Sequence, residues 1–333
     1  MIKTLIVDDS PLVRSIIRDF LESEGSFKVI GEAENGEDSV KAARTLRPDL
    51  VTMDIEMPVM NGLDAIVEIR KFSSCAIVVI STHDTAKMAY DATVKGAQEF
   101  FSKDIVTSKT DEKKRKEIFD TLKQITKVKN KGGTANASSQ FSSVTRNFSC
   151  VVIAASTGGP MALCQLCSGL PADFSVPIFL VQHNTSGFDR GFVQWLDEYA
   201  NLSVHLAEEG TVPVSGNIYV APTDRHLVIR DRGISFDDGE PVNNQKPAAD
   251  LLFKSAAEVY GGSVISVVLT GMGADGAEGT RFVKQSGGIT IAQDESSSMI
   301  YGMPLAAVET GCVDIVLPLN DIASKLLSLT RGV

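Results

Sequence analysis

The hydrophobic and polar positions of the first hundred residues alternate between short apolar runs and longer amphipathic stretches. Stretches of helix length separate the runs, and one more helix is predicted over about 105–129. Strands that alternate with helices favour a parallel sheet covered on both faces, so the pattern predicts a doubly wound α/β domain. The predicted strands, several of them rich in β-branched residues, are 4–7, 28–33, 50–53, 76–81 and 99–101.

A second series of alternating strands and helices begins at Cys150. It predicts another doubly wound parallel sheet, with an antiparallel β insertion because three short segments follow one another closely with turn residues between them. The predicted strands are 150–155, 177–182, 263–269 and 289–292, the helices are 160–167, 188–199, 248–260 and 276–285, and the inserted segments are 218–221, 226–230 and 233–236.

The segment between the two series is small and polar. Residues 131–143 are mostly Gly, Ser, Asn, Thr and Ala, the composition of a flexible linker. We therefore predict a first domain over 1–125, a linker over 126–148 and a second domain over 149–333, which agrees with the two domains that 333 residues favour.

Charge and cysteine content narrow the class of protein. Lys and Arg number 12 against 18 Asp and Glu in residues 1–104, ten against four in 105–148, and ten against 20 in 149–333. The acidic domains argue against nucleic-acid binding, and the basic run 113–116 is interpreted as a solvated helix face, with an anionic partner as the alternative. Five cysteines, no signal peptide and no apolar run long enough to span a membrane predict a cytoplasmic protein with reduced thiols and no membrane insertion.

A cluster of carboxylates is predicted at one sheet edge of the first domain. Asp8 and Asp9 follow the first strand and Asp54 follows the third, and these strand ends lie side by side in a doubly wound sheet. Three carboxylates suit Mg²⁺, beside which Asp54 could attack a phosphoryl group. Ser81 ends the fourth strand and Lys103 follows the fifth, and both could bind phosphoryl oxygens. The alternative for each carboxylate alone is a solvated surface charge.

Three residues of the second domain could form a catalytic triad. Ser156, His183 and Asp275 each follow a predicted parallel strand, at the sheet edge where α/β active sites form. Ser156 could act as nucleophile, His183 as base and Asp275 as the group that orients the imidazole. The glycine-rich turn after Ser156 could instead bind phosphate, although neither nucleotide-binding glycine spacing is present. Taken singly, the three residues could be a helix cap, a structural histidine and a turn residue.

The first 104 residues resemble the receiver domain of two-component response regulators. The resemblance implies a flavodoxin-like fold, Mg²⁺ held by Asp8, Asp9 and Asp54, transfer of a phosphoryl group from a histidine kinase to Asp54, and rearrangement of Ser81 and Phe100. Asp104 follows Lys103 where the family usually has proline, so a trans bond is expected there. The motifs are Val7-Asp8-Asp9-Ser10, Met53-Asp54-Ile55-Glu56-Met57-Pro58, Asn61-Gly62, Ser81 and Lys103.

Residues 150–310 resemble the catalytic domain of the chemotaxis protein-glutamate methylesterases. The resemblance implies hydrolysis of glutamyl methyl esters on chemoreceptors, deamidation of receptor glutamines, no cofactor for the esterase, and an oxyanion held by backbone N–H groups near Thr157 and Met272. The family's Met-Pro after the histidine is here Asn184-Thr185, and its Pro-Ser-Val-Asp is Pro247-Ala248-Ala249-Asp250. The motifs are Ala155-Ser156-Thr157-Gly158-Gly159-Pro160, Val181-Gln182-His183, Ala221-Pro222, Asp224-Arg225-His226-Leu227, Leu269-Thr270-Gly271-Met272-Gly273, Asp275-Gly276, Ala292-Gln293-Asp294-Glu295 and Gly302-Met303-Pro304.

Two other functions remain as alternatives at this point. A receiver could be joined to a nucleic-acid-binding output domain, against which the acidic second half argues. The second domain could also bind receptors without catalysis. The pair Cys164 and Cys167 is interpreted as structural, since no second Cys or His pair stands at zinc-binding spacing.

Overall fold

A computed structural model describes residues 1–82, 86–107, 112–127 and 147–331. The chain divides into two compact units, Met1–Lys131 and Gly132–Val333. Most of the predicted linker 126–148 lies outside the described residues, so the three predicted domain ranges stay predictions. In the part of the chain that is described, no helix is both long and apolar enough to cross a membrane.

The first unit is built on a five-stranded parallel sheet with the order β2-β1-β3-β4-β5, the doubly wound arrangement predicted from the sequence. Its elements are β1 Ile2–Val7, α1 Pro11–Glu22, β2 Phe27–Ala33, α2 Gly36–Leu46, β3 Leu50–Met53, α3 Gly62–Arg70, β4 Ala76–Ser81, α4 Ala86–Val94, β5 Glu99–Ser102, α5 Lys103–Thr107 and α6 Glu112–Lys127.

Side-chain caps fix where the first three helices begin. Ser10 accepts a hydrogen bond from the N–H of the third residue of α1, and Asn35 and Asn61 do the same for α2 and α3. Each cap satisfies an N–H that the helix leaves unpaired. Helices therefore start a few residues after the strands, and the intervening loops at the carboxyl edge of the sheet are short.

In the range predicted as one helix, 105–129, the structure describes two helical segments. α5 begins at Lys103 and α6 begins at Glu112, and residues 108–111 and 128–129 lie outside the described part of the chain. The Lys103–Asp104 peptide bond is trans, since Lys246–Pro247 is the one cis bond within the described ranges.

The second unit is built on a seven-stranded parallel sheet with the order β14-β13-β12-β6-β7-β9-β8, beside which β10 and β11 form a two-stranded antiparallel sheet. Its elements are β6 Cys150–Ala155, α7 Gly159–Ser168, β7 Ile178–Gln182, α8 Asp189–Tyr199, β8 Ser203–Leu206, β9 Asn217–Val220, β10 His226–Arg230, β11 Gly233–Asp237, α9 Ala249–Tyr260, a short 3-10 turn Gly261–Ser263, β12 Val264–Val268, α10 Ala277–Gln285, β13 Ile289–Gln293, α11 Met303–Glu309, β14 Ile315–Leu317 and α12 Leu319–Thr330.

One strand was predicted in the wrong sheet. Residues 218–221 were expected in the antiparallel insertion, but β9 lies parallel between β7 and β8. Its residues Ile218, Tyr219 and Val220 are buried, as in a strand covered on both faces. Only β10 and β11 are antiparallel, and they are joined through Asp231 and Arg232, both at positive φ, as a tight hairpin turn of the primed kind requires.

The strand order of the second sheet reverses at its centre, beside β6. From β6 the order runs to β7, β9 and β8 on one side, and to β12, β13 and β14 on the other. Every residue of β6, β7 and β12 is buried. Ligands bind α/β sheets in the crevice outside the carboxyl ends of strands where the order reverses, so the loops after these three strands are where a site is expected.

Candidate functional sites

The carboxylates predicted in the first unit do converge. Ligand oxygens of Asp8, Asp9 and Asp54 all lie within 4.8 Å of one another. Lys103 Nζ lies 2.7 Å from Asp54 Oδ2 and 2.9 Å from Asp8 Oδ2. Asp8 and Asp54 are buried and Asp9 is exposed, so the cluster opens to solvent on the Asp9 side.

The electrostatics of the cluster favour a proton or a cation on Asp54. Burial raises the pKa of Asp54 to about 6, although Lys103 lowers it. Burial also opposes the charged form of Lys103, but the hydrogen bonds to Asp54 and Asp8 outweigh it and raise the pKa of the ammonium. The carboxyl group is therefore close to half-protonated in the weakly acidic range.

The residues present fit a divalent cation. Asp8 Oδ2 is buried and lies 2.9 Å from Lys103 Nζ. The other oxygen, Oδ1, accepts the Ser10 N–H at 2.9 Å. Three carboxylates whose oxygens lie within 4.8 Å of one another form the all-oxygen donor set that Mg²⁺ prefers.

The predicted switch residues lie on the last two strands of the first sheet. Ser81 ends β4, and only 1% of it is exposed. Phe100, in β5, is also buried, with its ring edge-on to Tyr90 at 4.6 Å between centroids. Both residues are therefore packed in this structure, and their role as switch residues stays a prediction.

Ser156 stands at the carboxyl end of β6, in the turn that leads into α7. Its N–H donates to Thr270 O at 3.0 Å, and its carbonyl accepts from Gly159 N at 2.7 Å and Gln182 Nε2 at 3.1 Å. Gly158, the residue before α7, has φ +76°, a conformation that glycine adopts without strain. Three backbone anchors thus hold the serine at the start of a helix, half-buried and open to the crevice.

Gln182 is a buried amide that sequence reasoning missed. Its Nε2 donates to the carbonyls of both Ser156 and His183, at 3.1 and 2.9 Å, so it links the ends of β6 and β7. A Cβ atom on Gly159 would overlap Gln182 Oε1. The signal in the sequence was a polar residue ending a wholly apolar strand.

Replacing Gly159 with alanine is expected to displace Gln182 and to lower the free energy of unfolding by about 1–3 kcal/mol, the usual cost of overpacking. The matched control is Gly233→Ala, whose added methyl would meet nothing closer than 3.5 Å. Thermal denaturation of both variants measures the effect. Equal melting temperatures would show that the Gln182 side chain moves aside at no cost.

His183 and Asp275 form the contact predicted for a triad. His183 Nε2 lies 2.7 Å from Asp275 Oδ2, and both side chains are more than nine-tenths buried. Because a carboxylate can only accept, Nε2 carries a hydrogen, and in the neutral imidazole Nδ1 is then the nitrogen without one. Nδ1 is buried and has no hydrogen-bond partner among the described residues, so no bond to Ser156 is formed in this structure. Strand register nevertheless places the two residues side by side, since Ala155 pairs with Gln182.

The carboxylate of Asp275 is held by the beginning of α9. Oδ2 accepts the Ala249 N–H at 2.7 Å, and Oδ1 accepts the N–H groups of Asp250 and Gly276 at 3.0 Å each. Burial alone would raise the pKa of Asp275, but His183 and these N–H groups lower it below its usual value. The first N–H groups of a helix also carry its positive dipole end. The carboxylate therefore stays ionised beside the imidazole.

The residue before α9 is fixed by another histidine. His226 is fully buried, and its Nδ1 accepts the Ala248 N–H at 3.1 Å. Its Nε2 lies 3.1 Å from Glu240 O, which can only accept, so the hydrogen is on Nε2. The sequence indicated no role for His226, and the structure assigns it to the start of α9.

The two predicted oxyanion residues lie in neighbouring loops. Thr157 follows Ser156 directly, and its carbonyl accepts the Thr270 hydroxyl at 3.0 Å. Met272 lies two residues after Thr270, in a loop tied by the Gly271 N–H to Ile300 O at 3.0 Å. A Cβ on Gly271 would lie 2.7 Å from Ser156 Cβ, so only glycine lets the loop approach the serine this closely.

The pair Cys164 and Cys167 lies on α7, as a structural interpretation requires. Cys167 is fully buried, and burial raises the pKa of its thiol to about 12. Within the described residues, metal-ligating side chains cluster only at the three aspartates of the first unit. All five cysteines are free thiols.

Comparison with known proteins identifies the family to which each unit is similar. Residues 151–326 match the family model for the CheB methylesterase, and residues 4–113 match that for the response regulator receiver domain. Proteins named protein-glutamate methylesterase/protein-glutamine glutaminase from Nitrosospira multiformis and Pyrococcus horikoshii are 38% and 39% identical to this chain. The alignments cover 99% of this chain in both cases, and 97% and 95% of those proteins. The crystal structure of the Thermotoga maritima CheB methylesterase catalytic domain is 39% identical, with a TM-score of 0.53, and covers 55% of this chain and 100% of that one.

Proposed function

The chain belongs to the CheB methylesterase family and carries a response regulator receiver domain, and from this premise we propose which residues perform its reactions. It is a protein-glutamate methylesterase and protein-glutamine glutaminase whose activity is regulated by phosphorylation. The substrates are chemoreceptors: glutamyl methyl esters are hydrolysed to glutamate and methanol, and glutamines are deamidated. The single observation that best supports the catalytic assignment is the His183–Asp275 contact, in which Asp275 binds Nε2 and Nδ1 is the nitrogen left over to act as base.

Acylation begins with attack of Ser156 Oγ on the ester carbonyl carbon. His183 Nδ1 takes the hydroxyl proton, and Asp275 stabilises the imidazolium through Nε2. The tetrahedral intermediate then collapses, the bond to the methoxy oxygen breaks, and the proton on Nδ1 passes to that oxygen, releasing methanol. With a glutamine substrate the same proton goes to nitrogen and ammonia leaves.

Deacylation repeats these steps with water. His183 Nδ1 accepts a proton from the attacking water, and returns it to Ser156 Oγ when the acyl bond breaks and glutamate leaves. In both halves the negative oxygen is stabilised by backbone N–H groups, for which we propose Thr157 and Met272, since they lie in the two loops that flank Ser156.

The receiver domain is phosphorylated on Asp54. An Asp54 carboxylate oxygen attacks the phosphorus of a phosphohistidine and forms the new P–O bond, the P–N bond breaks, and the leaving imidazole nitrogen keeps the electron pair and takes a proton from solvent. Asp8, Asp9 and Asp54 would hold Mg²⁺, which supplies positive charge for the phosphoryl oxygens. Lys103 also forms an ion pair with those oxygens. Ser81 and Phe100 change their side-chain positions in response to the phosphoryl group on Asp54.

The partners follow from these two reactions. A chemotaxis histidine kinase donates the phosphoryl group, and methyl-accepting receptors supply the ester. We place both reactions in the cytoplasm, where the five free thiols of the chain would stay reduced. We propose no nucleic-acid partner, because both domains are acidic.

The proposed function is tested by methanol release from methylated receptor membranes. The full chain is assayed in Mg²⁺ with and without acetyl phosphate as phosphodonor. We expect release in both conditions and faster release with the donor, and Asp54→Asn should remove only the donor effect. Absence of release in both conditions would contradict the esterase assignment, and stimulation of Asp54→Asn would contradict the phosphorylation site.

Mg²⁺ binding is expected to weaken as the pH falls through about 6. Since burial raises the Asp54 pKa to about 6, a proton competes with the cation below that pH, and the apparent dissociation constant should rise about tenfold per pH unit. Isothermal titration calorimetry of the full chain at pH 5.0, 6.0 and 7.5 measures this. In Asp54→Asn most of the pH dependence should vanish. A wild-type affinity equal at pH 5.0 and 7.5 would show that Asp54 does not titrate with the metal.

A further inference from the structure

The helices α9 and α10 lack capping side chains of their own. The residue before α9 is Ala248, the residue before α10 is Gly276, and neither makes a side-chain cap. A helix leaves its first N–H groups unpaired, and buried N–H groups need an acceptor. The acceptors must therefore come from elsewhere in the fold.

Each of the two helices receives its acceptor from the other. Asp275, just before α10, accepts the first two N–H groups of α9. Asp250, in the first turn of α9, accepts the Gly279 N–H of α10 at 2.7 Å through Oδ1. The result is a reciprocal pair of caps, in which one carboxylate is the proposed triad member and the other has no role in the proposed chemistry.

The second carboxylate is itself held firmly. Asp250 is 7% exposed, and its Oδ2 accepts the Asn243 Nδ2 at 2.8 Å. A Cβ on Gly279 would lie 2.6 Å from Phe253 Cβ, so glycine allows α10 to lie directly against α9. The distance between the beginnings of α9 and α10 thus depends on the hydrogen bond from the Gly279 N–H to Asp250 Oδ1. The Asp250 carboxylate that accepts this bond is itself held by Asn243.

We propose that Asp250 is a positioning residue, which fixes α9 against α10 so that the first N–H groups of α9 aim the Asp275 carboxylate at His183. This inference rests on the proposed triad. Asp250 touches neither substrate nor reacting atoms, and it acts through its bond to Gly279 and through its own N–H, which donates to Asp275. The role needs an acceptor at Oδ1, and it does not need the negative charge.

The charge of Asp250 is in fact disfavoured where it stands. Burial, with a smaller contribution from the nearby Asp275 carboxylate, raises the pKa of Asp250 to about 6, although the hydrogen bond from the Gly279 N–H lowers it. An asparagine at position 250 keeps an oxygen that can accept the Gly279 N–H. Its NH₂ group can donate to Asn243 Oδ1 if the Asn243 amide rotates by about 180°. Asp250→Asn is therefore the conservative variant that should preserve positioning, and Asp250→Ala is the one that should abolish it.

The test compares Asp250→Ala, Asp250→Asn and the wild type in the full chain, by steady-state methanol release. We expect Asp250→Ala to lower kcat about 100-fold with KM within twofold, as small displacements of catalytic groups do, and Asp250→Asn to stay within about threefold of wild type. Wild-type kcat in Asp250→Ala, or equal losses in both variants, would overturn the proposal.

A spectroscopic readout separates positioning from general loss of stability. The proton shared by His183 Nε2 and Asp275 should give a far-downfield ¹H NMR resonance, retained in Asp250→Asn and lost or shifted in Asp250→Ala. An unshifted resonance in Asp250→Ala would overturn the proposal. Leu326→Ala, a truncation of a buried residue on α12, is the stability control, expected to melt earlier with unchanged kcat and resonance.

One further variant decides the matter if Asp250→Ala does not fold. Asn243→Gly removes the amide that binds Oδ2, and glycine accepts the positive φ of +51° at that position. We expect kcat to fall about threefold, in line with the loss of one partly exposed hydrogen bond, and an unchanged kcat would then overturn the proposal. If the wild type releases no methanol, the proposed function fails, while the NMR comparison still tests the positioning role.

Discussion

Replacing Ser156 with alanine is expected to lower methanol release by about 10⁴-fold or more, because the attacking oxygen is removed and the remaining groups only stabilise charge. The fold should be unaffected. The contacts that hold Ser156 in its turn, with Thr270 O, Gly159 N and Gln182 Nε2, involve its backbone atoms, which alanine retains. The measurement is methanol release from methylated receptors, with the melting temperature as a check on folding.

A second serine in the same unit supplies the matched control. Ser266 lies inside β12, fully buried, and its hydroxyl has no hydrogen-bond partner within the described residues. Ser266→Ala should therefore release methanol at the wild-type rate. If Ser156→Ala did so as well, Ser156 is not the nucleophile. If the wild type released none, the rival view of a domain that binds receptors without catalysis would gain support.

Asp275→Asn is expected to lower kcat by about 10²–10⁴-fold, although it changes a single atom. All four hydrogen bonds to Asp275 come from donors: His183 and Ala249 at Oδ2, and Asp250 and Gly276 at Oδ1. The amide of asparagine has a single oxygen, so it can accept either from the donors at Oδ2 or from those at Oδ1, and its NH₂ group faces the other two. If its NH₂ group faces His183, the imidazole hydrogen moves to Nδ1, which can then no longer take the proton of Ser156.

The other orientation of the amide is also unfavourable. An NH₂ group that faces the N–H groups of Asp250 and Gly276 leaves two buried donors unpaired, at about 1–3 kcal/mol each. The variant should therefore be both slow and less stable. Asp314→Asn is the control, since this carboxylate binds Thr290 near the opposite end of β13. It should lower the melting temperature and leave kcat unchanged, and a normal kcat in Asp275→Asn would exclude an orienting role.

Much of both sites could be predicted from the sequence, because both stand at strand ends. Apolar runs such as 150–155 mark buried parallel strands, and the polar residue that follows such a run falls at the edge where α/β sites form. That reasoning brings Asp8, Asp54 and Lys103 together, and the structure shows them in contact. The catalytic roles of Ser156 and His183 stay predictions.

Other features could not be predicted, because they depend on contacts that are distant along the chain. The pattern does not say that Asp275 takes its hydrogen bonds from α9, whose first residues lie some 25 positions earlier. It also does not say which imidazole nitrogen of His183 faces the carboxylate, since that depends on the ring rotamer. A strand as short as β9, with four residues after a turn, is compatible with either the parallel or the antiparallel sheet. Its burial on both faces, which the pattern does not give, is what distinguishes the two.

The strand order of the second sheet has a consequence for biosynthesis. β6 lies at the centre, but its neighbour β12 follows more than 100 residues later in the chain. While the ribosome makes the intervening residues, one edge of this wholly apolar strand has no partner, and an unpaired apolar edge attracts other chains. Ser156 and His183 emerge early, and Asp275 emerges only after β12. The proposed triad is therefore incomplete in the nascent polypeptide until β12 and the loop that carries Asp275 have left the exit tunnel.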